Sequence, residues 1–321
     1  MRKGQNPAKY VNHVAKPERI TVCVLSHIPF LSGFHAETLD VLRVCLESIR
    51  KSTDLPYDLL VFDNGSCEEA RRYLVESHEA GQIQFLILSD QNLGKGGAWN
   101  IIFQAAPGET IAYSDSDIFF YPGWLSSSLQ VLETYPNVGM VTSRPIRTPP
   151  QFHSTTLEWA RQTAEVQVEE GQLLTWEVFR DFVLSMGVPE ETAREWYEPG
   201  GDVRLSYKGV KAYAGAGHFQ FVARKSVLTE FLPFDMTRPM GQVRELDRLM
   251  NEAGYLRLMT EEPLVQNMSN TLENAPVEAI RRGRDHPAMP EKGLLRRVAR
   301  WSPVKRALLS VYNTIFRLYF R

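Results

Sequence analysis

The stretch Ile111-Ala112-Tyr113-Ser114-Asp115-Ser116-Asp117-Ile118-Phe119-Phe120-Tyr121-Pro122-Gly123-Trp124 sets two carboxylates one residue apart in an apolar, aromatic run and closes it with a Pro-Gly turn. In an extended chain, residues two apart point to the same side. Asp115 and Asp117 can therefore converge on one hard cation, or on the metal carried by a diphosphate. Such ions take oxygen ligands and keep waters and phosphate oxygens in their shell. An Asp-x-Asp in a polar surface loop would carry no such meaning. Here the flanking Ile111, Tyr113, Ile118, Phe119, Phe120 and Tyr121 suit a strand that carries its acids out of a buried sheet.

Upstream, residues 20–25, 57–62, 83–88 and 110–113 are short apolar runs that read as buried strands. Between them, 37–49, 68–80 and 98–105 show apolar residues at helical spacing. Strands alternating with helices through short connections predict an α/β fold, a mostly parallel central sheet with helices on both faces. In such sheets ligands bind beyond the carboxyl ends of the strands. Ser26 and His27, the turn Asp63-Asn64-Gly65-Ser66, the segment Asn92-Leu93-Gly94-Lys95-Gly96-Gly97 and the Asp115/Asp117 pair all fall at strand ends or helix starts. Each has a plain alternative: Asp-Asn-Gly makes ordinary turns, and glycines serve tight connections. The glycine segment matches neither the phosphate-loop nor the dinucleotide spacing. It does offer backbone N–H groups at a helix start, where an anion is favoured, with Lys95 adding charge.

Beyond Pro136 the pattern changes. Residues 138–142 read as a strand, and 154–196 as a helical insertion whose Trp159, Trp176, Phe179 and Trp196 are expected in the core. Gly215-Ala216-Gly217-His218 precedes an alternating strand, so a ligand or a second backbone can approach closely at Gly217. His218 is read either as a structural histidine or as a substrate contact. Residues 241–253 form an amphipathic helix with Glu245 and Asp247 near its start, and 255–259 return as a strand.

Three widely spaced cysteines, Cys23, Cys45 and Cys67, suggest neither a disulfide framework nor a zinc site and point to a reducing, cytoplasmic setting. A net charge of −2 gives no general attraction to nucleic acid. The stretch 293–321 carries seven arginines and lysines and no acid, interleaved with Trp301, Tyr312, Phe316, Tyr319 and Phe320. That pattern suits a helix lying in a membrane interface, and equally a helix docked on protein.

Taken in order, these elements from Ile20 to about Asn270 resemble a family-2-type inverting glycosyltransferase of the GT-A fold. The resemblance implies a nucleotide-sugar donor held by Ser26, His27, Asp63, Asn64, Asn92, Gly94, Lys95, Asn100 and Asp115. It implies a divalent metal, Mg²⁺ or Mn²⁺, on Asp115 and Asp117. Where family members often place a metal-binding histidine this chain has Asn267, whose carbonyl oxygen suits Mg²⁺. Asp247 or Glu245 would be the catalytic base, with Gly217 and His218 on the acceptor side. The implied domains are an extension at 1–19, a transferase domain at 20–275 with an insertion at about 151–200, and a basic tail at 276–321. The acceptor would be a glycan or lipid-linked hydroxyl of the cell envelope, met by a cytoplasmic protein peripheral at the inner membrane face. A non-catalytic sugar-nucleotide binder is the alternative. A nucleotidyltransferase is disfavoured, since Ser26-His27-Ile28-Pro29 supplies no glycine-rich loop after the first strand.

Overall fold

A computed structural model describes residues 5–11, 14–237 and 241–273. The first half alternates as the sequence predicts: β1 (Ile20–Ser26), α1 (Thr38–Ser52), β2 (Asp58–Asn64), α2 (Glu68–Glu79), β3 (Phe85–Ser89), α3 (Gly94–Ala105) and β4 (Thr110–Asp115). A short β5 (Ile118–Phe120), α4 (Trp124–Thr134) and β6 (Val138–Thr142) follow. Then come α5 (Ser154–Gln162), β7 (Gln167–Gly171), α6 (Trp176–Ser185), α7 (Glu190–Tyr197), β8 (Asp202–Tyr207) and β9 (Val210–Ala214). The described part closes with β10 (Gln220–Arg224), α8 (Lys225–Thr229), α9 (Gln242–Glu252), β11 (Leu256–Thr260) and β12 (Val265–Asn267).

Ten strands form one sheet in the order β3-β2-β1-β4-β10-β6-β11-β9-β8-β7. The block β3-β2-β1-β4 is parallel, β10 runs against both β4 and β6, and β11 is parallel to β6. From β11 outward the strands are antiparallel. The parallel block is buried on both faces because its residues alternate between two cores. Val22, Val24 and Ala112 pack with α1, α2 and α4, whereas Cys23, Ile111 and Tyr113 pack with α3, α8 and α9. The chain leaves β1 toward β2 and β3 on one side and returns through α3 to β4 on the other. The crevice between the carboxyl ends of β1 and β4 is therefore the switch point at which open α/β sheets bind ligands. Leu25 pairs with Asp115 there, and Ser26 with Asp63.

Two local expectations change. Residues 154–196 are not all helical: α5 stops at Thr163, and 167–171 become β7, paired antiparallel with β8. The edge of β8 supplies hydrogen-bond partners that a helix through Val168 would not use, and Arg204 binds Glu169 across the pair at 2.8 Å. Trp196 is 52% exposed rather than in the core, while Trp159 packs on Tyr135 and Tyr207 as expected.

One glycine is forced. Gly65, after β2, has φ +77°, and a Cβ there would lie 2.8 Å from the backbone nitrogen of Asn92 and the carbonyl carbon of Gln91. Gly65→Ala is expected to cost about 1–3 kcal/mol, from the left-handed backbone and the contact with an immovable main chain. Urea unfolding measures it.

Candidate active site

Asp115 ends β4 and Asp117 lies in the tight turn to β5, so the acid pair spans a turn rather than one extended strand. Asp115 is held on three sides. Its amide donates to the carbonyl of Phe219 (2.8 Å), the Tyr113 hydroxyl donates to Oδ1 (2.6 Å), and Lys95 Nζ meets Oδ2 at 2.7 Å. Lys95 reaches this point from the first turn of α3 and lies 5.5 Å from the ring centres of both Trp99 and Tyr113. Asp117 has no such compensation: its Oδ1 is buried without a hydrogen-bond partner. Burial, reinforced by repulsion from Asp115 and opposed by Lys95, pushes its pKa up to about 7.

The antiparallel ribbon β5–β12 brings Asn267 opposite Ile118, one residue beyond Asp117, and Met268 donates its amide to the Asp117 carbonyl (2.8 Å). Buried Arg144 fixes β12 in place, donating to the Val265 carbonyl (3.1 Å) and to Gln266 Oε1 (2.7 Å). Asn267 Oδ1 accepts the amide of Ser269 at 2.7 Å. Among the described residues no three His, Cys, Asp or Glu side chains converge to enclose a cation. The observation that bears on a metal is the unpartnered Asp117 oxygen beside a second carboxylate. That donor set fits a hard divalent cation completing its shell with phosphate oxygens and water.

At the ends of β1 and β2, the Ser26 hydroxyl and Asp63 Oδ1 are buried and unpartnered. Asp63 Oδ2 accepts the Ser66 amide (3.3 Å), and burial raises the pKa of this carboxyl despite Ser66 and Arg71. His27 and the asparagines build the wall beside them. His27 Nδ1 donates to the Asn64 carbonyl (2.9 Å), and its Nε2 accepts from Asn92 Nδ2 (3.1 Å). Asn64 accepts the Leu93 amide (2.8 Å) and donates to Asn92 Oδ1 (3.0 Å), which also takes the amide of Gly94 (2.8 Å). Asn100 lies apart from this network: both ends of its amide bind the main chain of Phe234, at 2.7 and 3.0 Å. The helix α3 begins at Gly94, so the glycines form its first turn rather than a loop before it.

The opposite wall is α9. Its Gln242 side chain packs over Gly96, where a Cβ would come within 2.5 Å of it. Asp247 faces inward and is 5% exposed; one oxygen binds the guanidinium of wholly buried Arg257 on β11, and the other lies 3.7 Å from His218 Nδ1. Arg257 also donates to the carbonyls of Ala216 (2.8 Å) and Phe152 (2.7 Å). Glu245, ~200° around the helix from Asp247, is half-buried and makes no side-chain hydrogen bond or ion pair among the described residues. The Thr142 hydroxyl grips Gly217 at both its amide (2.7 Å) and its carbonyl (2.9 Å). His218 precedes Phe219, which is bonded to Asp115, so both acid sites flank one short loop. Arg257, Tyr113 and Thr142 carried no signal in the sequence, since each sits within an ordinary, largely apolar strand run.

Residues 34–190 match the sequence profile of glycosyl transferase family 2. Over that stretch, just under half of the chain, the sequence is similar to family 2 glycosyltransferases. Among curated relatives, alr2836 of Nostoc, described as an uncharacterized glycosyltransferase, is 28% identical over 96 residues, 30% of each chain. EpsH of Bacillus subtilis, named as a glycosyltransferase, is 30% identical over 89 residues, 28% of this chain and 26% of that one. The chain thus spans less than a third of the length of these relatives. In shape, the mannosyltransferase PcManGT of Pyrobaculum calidifontis, solved with GDP-Man and Mn²⁺, gives a TM-score of 0.45 at 16% identity, covering 78% of this chain and 56% of that one. Residues 1–349 of TarS from S. aureus, solved with UDP-GlcNAc, give 0.43 at 12% identity, covering 77% and 58%. The strand order, with its switch point between β1 and β4, is that of the α/β fold expected from the sequence.

The raised pKa of Asp117 has a stability consequence. Between about pH 4 and pH 7 the folded chain binds a proton there that the unfolded chain has lost, so this site's contribution to stability falls as pH rises through that window. Asp117→Asn removes the cost. Without metal, its melting temperature should exceed that of the parent by a few degrees at pH 8, with the difference closing toward pH 4. Calorimetry at the two pH values checks both parts.

Proposed function

We propose that this domain transfers a sugar from a nucleoside-diphosphate donor to an acceptor hydroxyl with inversion at the anomeric carbon. The observation that carries the reading is the acid turn at the switch point, where Asp117 presents a buried, uncompensated oxygen beside Asp115. The diphosphate would lie over the start of α3, where the first-turn amides and Lys95 favour an anion. The nucleoside would be received between the ends of β1 and β2, against Ser26, His27 and Asp63. Asn64 and Asn92 hold that wall in shape, and Asn100 secures the Phe234 segment.

Asp115 and Asp117, with Asn267 nearby, would hold Mg²⁺ or Mn²⁺, which supplies charge stabilisation to the departing diphosphate. Inversion requires the acceptor oxygen to attack opposite the leaving group. The α9 wall, with Asp247, Glu245, His218 and Gly217, would receive it. The basic, aromatic stretch 293–321 lies outside the described residues; its composition suits a membrane interface, and with it a lipid-linked or envelope glycan as acceptor and a place at the inner membrane face. No described helix is long and apolar enough to cross a membrane.

Two measurements test this. Mn²⁺ together with UDP- or GDP-sugars should raise the melting temperature of the parent, and Asp117→Ala should abolish the metal-dependent part of the shift. No donor- and metal-dependent shift in the parent would sink the reading; a shift without release of nucleoside diphosphate would leave a binding protein. In liposome flotation, a chain ending at Lys292 should lose the binding to anionic vesicles that the full chain shows. Equal binding by the two would remove the membrane role of the tail.

A further inference from the structure

The α9 wall holds a polar arrangement that an acid acting alone does not account for. Arg257 is wholly buried, and its guanidinium binds one Asp247 oxygen and the carbonyls of Ala216 and Phe152. Asp247 is therefore anchored and nearly closed to solvent, with an 8% exposed side chain. A carboxylate so held by a fixed, buried guanidinium has little freedom to reach a substrate. Its second oxygen points at the Nδ1 edge of His218, 3.7 Å away, and the His218 side chain is 41% exposed. Gly217 just before it is clamped through both its backbone atoms by Thr142, and Phe219 just after it is tied to Asp115. The backbone that carries the imidazole is thus fixed on both sides, between the acid turn and the buried carboxylate.

Resting on the transferase reading above, we infer that His218 is the catalytic base for the acceptor, and that Asp247 and Arg257 act through it as positioning residues. With Nδ1–H directed at Asp247, the free Nε2 takes the acceptor proton. As the acceptor oxygen forms its bond to the anomeric carbon, the bond from that carbon to the β-phosphate oxygen breaks. The electron pair leaves on the nucleoside diphosphate, and the proton stays on the imidazole until solvent removes it. Asp247 faces the imidazolium so formed and stabilises it, and Arg257 holds Asp247 in that orientation. An arginine behind an aspartate behind a histidine is a relay from the buried interior to the solvent-facing edge. The gap of 3.7 Å shortens to a hydrogen bond when substrate closes the site, as is common for catalytic pairs seen without ligand. Among the described residues, the charged groups tied to this loop are Asp247, facing the imidazole, with Arg257 behind it, and Asp115 with its partner Lys95 through Phe219.

The test follows release of nucleoside diphosphate from a panel of UDP- and GDP-sugars with Mn²⁺, water serving as acceptor, on the full chain. His218→Gln keeps the size and a hydrogen-bonding amide but cannot hold the proton. It should lower turnover about 10²–10⁴-fold with the donor-dependent thermal shift unchanged, and it should erase the rising limb of the pH–rate profile. Added imidazole should restore turnover to His218→Ala. Asp247→Asn alone would strand the buried charge of Arg257, so the partner variant is the double replacement Asp247→Asn with Arg257→Met, which removes both charges together. That double variant should turn over more slowly yet keep the rising limb, because the imidazole is still present. If the limb vanishes in the double variant, or if His218→Gln turns over like the parent, Asp247 is the base and the inference is overturned. A parent chain that releases nothing from any donor overturns the transferase reading as well. Donor release with an unaffected His218→Gln overturns the base assignment alone.

Discussion

Two carboxylates on one tight turn repel each other, and the site is arranged around that repulsion. Asp115 is relieved by Lys95 and by the Tyr113 hydroxyl. Asp117 is relieved only in part, by the charge of Lys95, and its buried, unpartnered oxygen leaves its pKa raised. Lys95 can reach Asp115 only because α3 starts at Gly94, beside the end of β4, which follows from the chain crossing over β1 to make the switch point. The parallel block of the sheet thus places the first turn of α3, a favourable place for an anion, against a pair of acids that calls for a cation. A diphosphate carrying a divalent metal answers both demands at once.

A second charge arrangement stands across the same loop. Burying Arg257 completely is costly unless its guanidinium is partnered; two backbone carbonyls and Asp247 partner its terminal nitrogens, while Nε is buried without a hydrogen bond. The ion pair adds little net stability by itself. Its effect is to fix where Asp247 points. The loop 215–219 then links the two arrangements, because Phe219 bonds Asp115 while His218 faces Asp247.

The asparagines of the motif divide between two sets of hydrogen bonds. Asn64, Asn92 and His27 form a closed set of hydrogen bonds that shapes the wall between β2 and α3. Asn100, about two helical turns further along, is bonded at both amide ends to Phe234 and braces a segment leading to α9. The unpartnered polar atoms at the ends of β1 and β2 belong to Ser26 and Asp63.

Much of this was legible in the sequence. Periodicity of two and of 3.6 depends only on near neighbours, so the alternation from β1 to β4, the turns at the strand ends and the exposed face of α9 could be read locally. The same reasoning failed at 164–171, where spacing compatible with a helix gave way to β7 once β8 offered an edge to pair with. It also expected Trp196 in a core that lies elsewhere. The strand order, the insertion of antiparallel β10 between β4 and β6, and the meeting of Lys95 with Asp115 and of Asp247 with Arg257 and His218 were decided by tertiary structure. Those contacts join residues far apart in the chain. They exist because burying both faces of the sheet fixes which strand ends become neighbours, and no local spacing encodes that choice.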